Sequence, residues 1–304
     1  NTDFNTVGAK SIREAFTEKL GSENCLFAQG AELYLDKEFE ATRLVELEDF
    51  KSKASKSDVI VLCLGEYPST EKPGDIRSLN LDPQQLELAK VAYATGKPVV
   101  LIMVEGRPRI IRDIVDGADG IVQAYLPGDY GGEALVKLMF GEENFSGNLP
   151  YTYPKYDGIF EFYDHPRSVD RSKNNDFKAY DPQWNFGFGL DYSTVEYSNL
   201  RLSSETISKT DSLIIEVDIT NIGKMDTKEI VQLYVSDLFA SIIPTGKSLK
   251  GFDKVEIKRG EMTTVKFVLS SEDLQFVDTS GNWISEAGDF EVSIGKLLTK
   301  FELK

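Results

Sequence analysis

The chain has 304 residues, with 34 Lys and Arg, 50 Asp and Glu and one His, for a net charge of −16. That acidity disfavours nucleic acid and other polyanions as partners, because their affinity comes mainly from Lys and Arg contacts to phosphate. One histidine and two cysteines exclude a multi-histidine or Cys-rich metal site, no apolar run reaches the roughly 18–20 residues of a membrane span, and the length suggests two domains.

In chain order, Ser11 to Leu20 reads as a helix closed by Gly21 as its C′ glycine. From Ser57 to Phe140, short wholly apolar runs alternate with helical stretches, the pattern of a parallel sheet covered on both faces. The runs are Val59 to Leu64, Val99 to Val104 and Gly120 to Tyr125, and Cys63, inside the first, reads as core. Asp82 as N-cap and Pro83 at the first helical position open a helix carrying Gln85, Leu86, Ala89 and Ala92. Ile110 to Val115 separates the second and third runs, and a last helix spans Gly132 to Phe140.

Pro150 to Tyr197 has neither helical nor strand period and is too long for an ordinary connection, which predicts a packed, extended strap. From about Ser198 the apolar period becomes two, as in Ile215, Val217 and Ile219, in Val265, Phe267 and Leu269, and in Phe290, Val292 and Ile294. With its turn signals, this stretch predicts an all-β sandwich of about seven strands. The expected organisation is an α/β domain over residues 1–150, a strap over 151–194 and a β-sandwich over 195–304.

Parallel sheets place ligands at the carboxyl ends of their strands. The loop after the first run, Gly65 to Asp75, carries Glu66, Glu71 and Asp75, the aromatic Tyr67, two prolines and two glycines. It fits a solvated acidic loop, and it equally fits a sugar site, where a ring stacks on the pyranose and carboxylates bind hydroxyls. After the second run, Glu105 to Arg109 suggests an ion pair fixing the turn. The glycines of Leu126 to Glu133 suggest a tight turn, since no phosphate-binding fingerprint is present. That absence also disfavours a flavodoxin-like nucleotide binder. His165 lies in the strap, and the chain has no G-x-S-x-G, so a serine hydrolase is a weak reading. Trp184, Phe186 and Phe188 suit anchoring of the strap better than a sugar platform.

Five motifs in order carry a resemblance: Gly65 to Asp75, Phe145 to Pro150, Phe186 to Tyr192, Glu229 to Asp237 and Leu249 to Phe252. Together they resemble the C-terminal half of a glycoside hydrolase family 3 enzyme of the β-glucosidase or exo-β-glucanase type. The resemblance implies an α/β (three-layer) sandwich followed by a fibronectin type III-like domain. The implied activity is retaining hydrolysis of terminal non-reducing β-D-glucosyl or similar residues, in polysaccharide degradation. It implies a nucleophilic Asp on a preceding (β/α)8 barrel and an acid/base Glu in the α/β domain.

The acid/base is then expected to be Glu71, with Glu66 second, and Glu66, Tyr67 and Asp75 would bind substrate. As the acid, Glu71 would need a pKa raised by partial burial or by the charges of Glu66 and Asp75. The expected partners are an oligosaccharide or an aryl or alkyl β-glycoside, and the barrel half of the same enzyme, without which this portion is expected to be inactive. No metal or organic cofactor is implied. A homo-oligomer stays open, and the family context suggests secretion or a periplasmic location. A non-catalytic scaffold or carbohydrate-binding module is the alternative.

Overall fold

A computed structural model describes residues 8–36, 39–67, 75–159, 162–166 and 180–304. The chain divides into two compact units, one running to Glu143 and including Pro154–Gly158, the other made of Asn144–Tyr153 and Ile159–Lys304. This contact boundary falls earlier than residue 150, and the strap region divides between the units, because its short stretches hydrogen-bond to different neighbours. Asp157 accepts from Ser78 and Asn80 in the first unit, whereas Leu149 and Tyr153 pair with Phe188 and Trp184 in the second.

In the first unit, α1 (Ile12–Leu20) starts at a capping box in which Ser11 and Glu14 satisfy each other's backbone N–H groups, and it ends at Gly21 with φ 83°. A hairpin of β1 (Ala31–Asp36) and β2 (Phe39–Leu44) and helix α2 (Leu47–Lys56) follow, elements that the apolar periodicity does not announce. Next come β3 (Ile60–Gly65), α3 (Pro83–Tyr93), β4 (Val99–Val104), α4 (Arg112–Val115), β5 (Gly120–Gln123) and α5 (Gly131–Met139). Asp82 caps α3 by accepting from Gln84, with Pro83 in its first turn, as its sequence predicts.

The sheet has the order β3-β4-β5, all parallel. On one face Ala15 and Phe16 of α1 and Leu135 and Val136 of α5 close over Ile102, with Val61 and Val122 packed against them. α3 packs against β2 and β3. Cys63 departs from its expected core position and is exposed. It lies on an edge strand, and the packed cluster takes in its neighbour Val61 but stops short of Cys63.

The second unit is antiparallel but for one short parallel pairing. Its strands are β6 (Val195–Leu202), β7 (Thr206–Ile207), β8 (Ser212–Asn221), β9 (Thr227–Asp237), β10 (Ser248–Ile257), β11 (Met262–Ser270), β12 (Phe276–Val277), β13 (Trp283–Ile284), β14 (Gly288–Ile294) and β15 (Leu297–Leu303). A five-stranded sheet, β10-β9-β14-β15-β7, and a three-stranded sheet, β11-β8-β6, contribute alternate residues to one core that includes Val217, Leu233, Val265, Val292 and Leu303. Alternation encodes this arrangement directly, because a two-residue period puts one face of each strand in the core.

Asn221 ends β8 fully buried, and its amide is satisfied on both sides. It donates to the carbonyls of Met225 and Ile257 and accepts from Gly223 N and Ser193 Oγ. Asn221→Ala removes these four hydrogen bonds from a fully buried position. It should lower the stability of this unit by about 2–4 kcal/mol, read from urea denaturation, with the urea m-value unchanged.

Candidate functional site

The carboxyl ends of β3, β4 and β5 bring three loops together, and the first is set by Gly65. Its φ is 151°, and a Cβ there would lie 1.9 Å from the carbonyl oxygen of Val104, so only glycine fits. Buried Gln85 on α3 fixes the same residue, accepting from Gly65 N at 2.9 Å and donating to Gly65 O at 2.8 Å.

The next residue, Glu66, has a side chain only 4% exposed. One carboxylate oxygen accepts the backbone N–H groups of Gly106 and Arg107 at 2.8 and 2.9 Å. The other accepts Arg107 Nε at 2.9 Å and Arg109 Nη1 at 3.2 Å. Burial alone would raise this carboxyl, but the Arg107 side-chain and backbone hydrogen bonds, the Arg107 charge and the Gly106 N–H outweigh it and hold it below the usual carboxylate range.

Arg109, also buried, donates to the Asn80 carbonyl at 2.9 Å and lies 3.5 Å from Glu40 on β2. Fully buried Glu105 accepts from Arg109 N and Gln123 Nε2. The Glu105 to Arg109 loop is thus fixed by ion pairs, with Glu66 as the carboxylate facing the guanidiniums. Glu40 is a site residue that motif spacing does not reveal, because its hairpin is remote in sequence. Its carboxyl is pushed up by burial, against the Tyr67 N–H bond and the Arg109 charge.

Of the residues the sequence nominates, Glu71 lies outside the described residues. Glu66 and Tyr67 leave β3 together, and Asp75 is exposed. In the loop before α5, Gly128 has φ 66°, and a Cβ on Gly132 would lie 2.6 Å from the Lys10 carbonyl, so these glycines serve a turn and a close approach. In the second unit, His165 is buried with Nδ1 2.7 Å from the Phe162 carbonyl and its ring against Tyr180. Phe186 stacks on Tyr163, and Trp184 meets the Tyr153 ring and stacks with Phe188, which agrees with an anchoring role.

A parallel α/β sandwich with carboxylates at its strand ends, joined to an antiparallel β-sandwich, is the class that this architecture defines. Residues 5–192 match the glycosyl hydrolase family 3 C-terminal domain, and residues 229–297 match a fibronectin type III-like domain. The chain belongs to glycoside hydrolase family 3. It is 36% identical to a lysosomal β-glucosidase of Dictyostelium discoideum over 265 residues, 84% of this chain and 32% of that protein. It is 31% identical to a putative β-xylosidase of Formosa agariphila over 313 residues, 99% of this chain and 40% of that protein. Among solved structures, a β-glucosidase of Listeria innocua in complex with glucose superposes with a TM-score of 0.79 at 31% identity, over 86% of this chain and 39% of that one. The chain spans about a third of the length of the curated relatives it matches. No helix among the described residues is long and apolar enough to cross a membrane.

Because Glu66 has a depressed pKa in the fold, its stabilising contribution is complete above the ordinary carboxylate range and is lost as pH falls through the folded value. Glu66→Gln removes the carboxylate charge that Arg107 and Arg109 share. It should cost about 3–5 kcal/mol at pH 7, and the gap from wild type should narrow below about pH 4, read from denaturant midpoints at each pH.

Proposed function

We propose that this chain is the acid/base portion of a retaining β-glycosidase acting on terminal non-reducing β-D-glucosyl or similar residues. Glu71 is the proton donor and acceptor, and a barrel domain elsewhere in the enzyme carries the nucleophilic aspartate. The observation that carries this reading is the state of Glu66. A carboxylate that accepts four hydrogen bonds, two from guanidinium groups, is stabilised as the anion and makes a poor acid. The acid/base role then falls to Glu71, five residues on in the sequence. Relatives named β-glucosidase and β-xylosidase support the substrate class, and one named periplasmic supports a location outside the cytoplasm.

In a retaining mechanism two carboxyl groups stand about 5–5.5 Å apart across the glycosidic bond. One attacks the anomeric carbon while the other protonates the leaving oxygen, and that second group then removes a proton from the incoming water. Glu71 fills the second role. Glu66 acts through Arg107 and Arg109, fixing the floor beneath the loop. Tyr67 and Asp75 contact sugar.

In the full-length enzyme, Glu71→Gln should lower kcat/KM for an alkyl β-glycoside by about 10²–10⁴-fold. An activated aryl β-glycoside, which departs with little protonation, should be spared in its glycosylation step. Steady-state kinetics on the two substrates check this. Equal loss on both removes Glu71 from the role, and a chain that restores no activity when combined with its barrel half returns the reading to a scaffold.

A further inference from the structure

Glu40 has no part in the chemistry above, yet it is a buried carboxylate at the root of the loop that carries it. Its side chain is 4% exposed. Oε2 accepts the Tyr67 N–H at 2.6 Å, while Oε1 faces Arg109 Nη2 at 3.5 Å and makes no hydrogen bond. Burying a carboxylate so incompletely paired is unfavourable, although removing it would take a counter-charge away from buried Arg109. Facing Arg109 gives a stability reason for a carboxylate here but none for its acceptor bond to the Tyr67 N–H.

Its position supplies one. Tyr67 is the last described residue before the segment containing Glu71. The four residues from Tyr67 to Glu71 span at most about 14 Å when extended, so the direction in which the chain leaves Tyr67 limits where Glu71 is delivered. The far root of the same segment is fixed too. Asp157 accepts from Ser78 Oγ, Leu79 N and Asn80 Nδ2 at 2.8, 3.2 and 2.7 Å. Arg109 Nη2 binds the Asn80 carbonyl at 2.9 Å and faces Glu40, so one guanidinium lies between the two roots.

We infer that Glu40 is a positioning residue for the acid/base loop, holding the Tyr67 N–H so that the chain leaves β3 in the direction that delivers Glu71 to the leaving-group oxygen. This inference rests on the reading of Glu71 given above. The carboxyl oxygen matters as an acceptor rather than as a charge. Gln supplies the same acceptor, whereas Met fills the volume without one.

The test uses the full-length enzyme with an alkyl and an activated aryl β-glycoside of the same sugar. Glu40→Met should lose about 10–100-fold in kcat/KM on the alkyl substrate, the scale of a displaced catalytic group. On the aryl substrate it should change less than about threefold, because little proton donation is needed there. Glu40→Gln should stay within about threefold of wild type on both. Hydrogen exchange at the Tyr67 amide should be slow in wild type and Glu40→Gln and fast in Glu40→Met.

Equal loss on both substrates is the signature of a general structural defect and overturns the inference, as does a Glu40→Met enzyme indistinguishable from wild type. Should Glu40→Met not fold, Glu40→Asp, which withdraws the acceptor by one methylene, must show the same split in smaller measure or the inference falls. Glu71→Gln is measured alongside. If it shows no split between substrates, the acid/base assignment is at fault, while Tyr67 exchange still reports whether Glu40 holds the loop root.

Discussion

One buried guanidinium organises the carboxyl end of the parallel sheet. Arg109 is 4% exposed, bonds Glu66 beyond β3 and the carbonyl of Asn80 before α3, and faces Glu40 on β2. Taking such a charge out of water costs several kcal/mol, a cost met only by close, well-directed partners. Three stretches of chain that are far apart in sequence must therefore come together here, or none of them is stable in this form. Two carboxylates, Glu40 and Glu66, face Arg107 and Arg109, while buried Glu105 accepts from the Arg109 backbone N–H and from Gln123. Burial raises the Glu40 carboxyl, whereas Glu66 is held down by its donors.

The same cluster separates two kinds of carboxylate on neighbouring chain segments. Glu66 is held as an anion by guanidinium and backbone N–H donors, and Glu40 is pushed toward its neutral form by desolvation. Enzymes that use paired carboxyl groups depend on environments that drive pKa values apart in this way. Here the divergence lies among groups that tie β2 and the end of β3 to the Glu105 to Arg109 loop.

Much of the fold was legible before any coordinates. The sandwich declares itself through a strict two-residue period, since each strand has one wet and one dry face, and the apolar runs of β3 and β4 declare a sheet covered on both sides. Asp82-Pro83 and the Ser11-Glu14 capping box mark helix starts because they answer local, unsatisfied N–H groups. The β1-β2 hairpin and α2 were not legible, because their half-buried residues carry no clean period. Cys63 misleads for a related reason, since an apolar run cannot tell an edge strand from a central one.

The amino-acid sequence by itself determined the two architectures, the order of their elements, the family and the loop that bears the carboxylates, because each is written in local spacing or in contiguous motifs. Only the tertiary structure decided which of those carboxylates is tied up by guanidinium groups, and only it brought Glu40, Asn80 and Asp157 to the two roots of the loop. Electrostatic environment depends on burial and on charges a few ångströms away, and the charged residues that create it stand 26 positions before Glu66 and up to 43 after it.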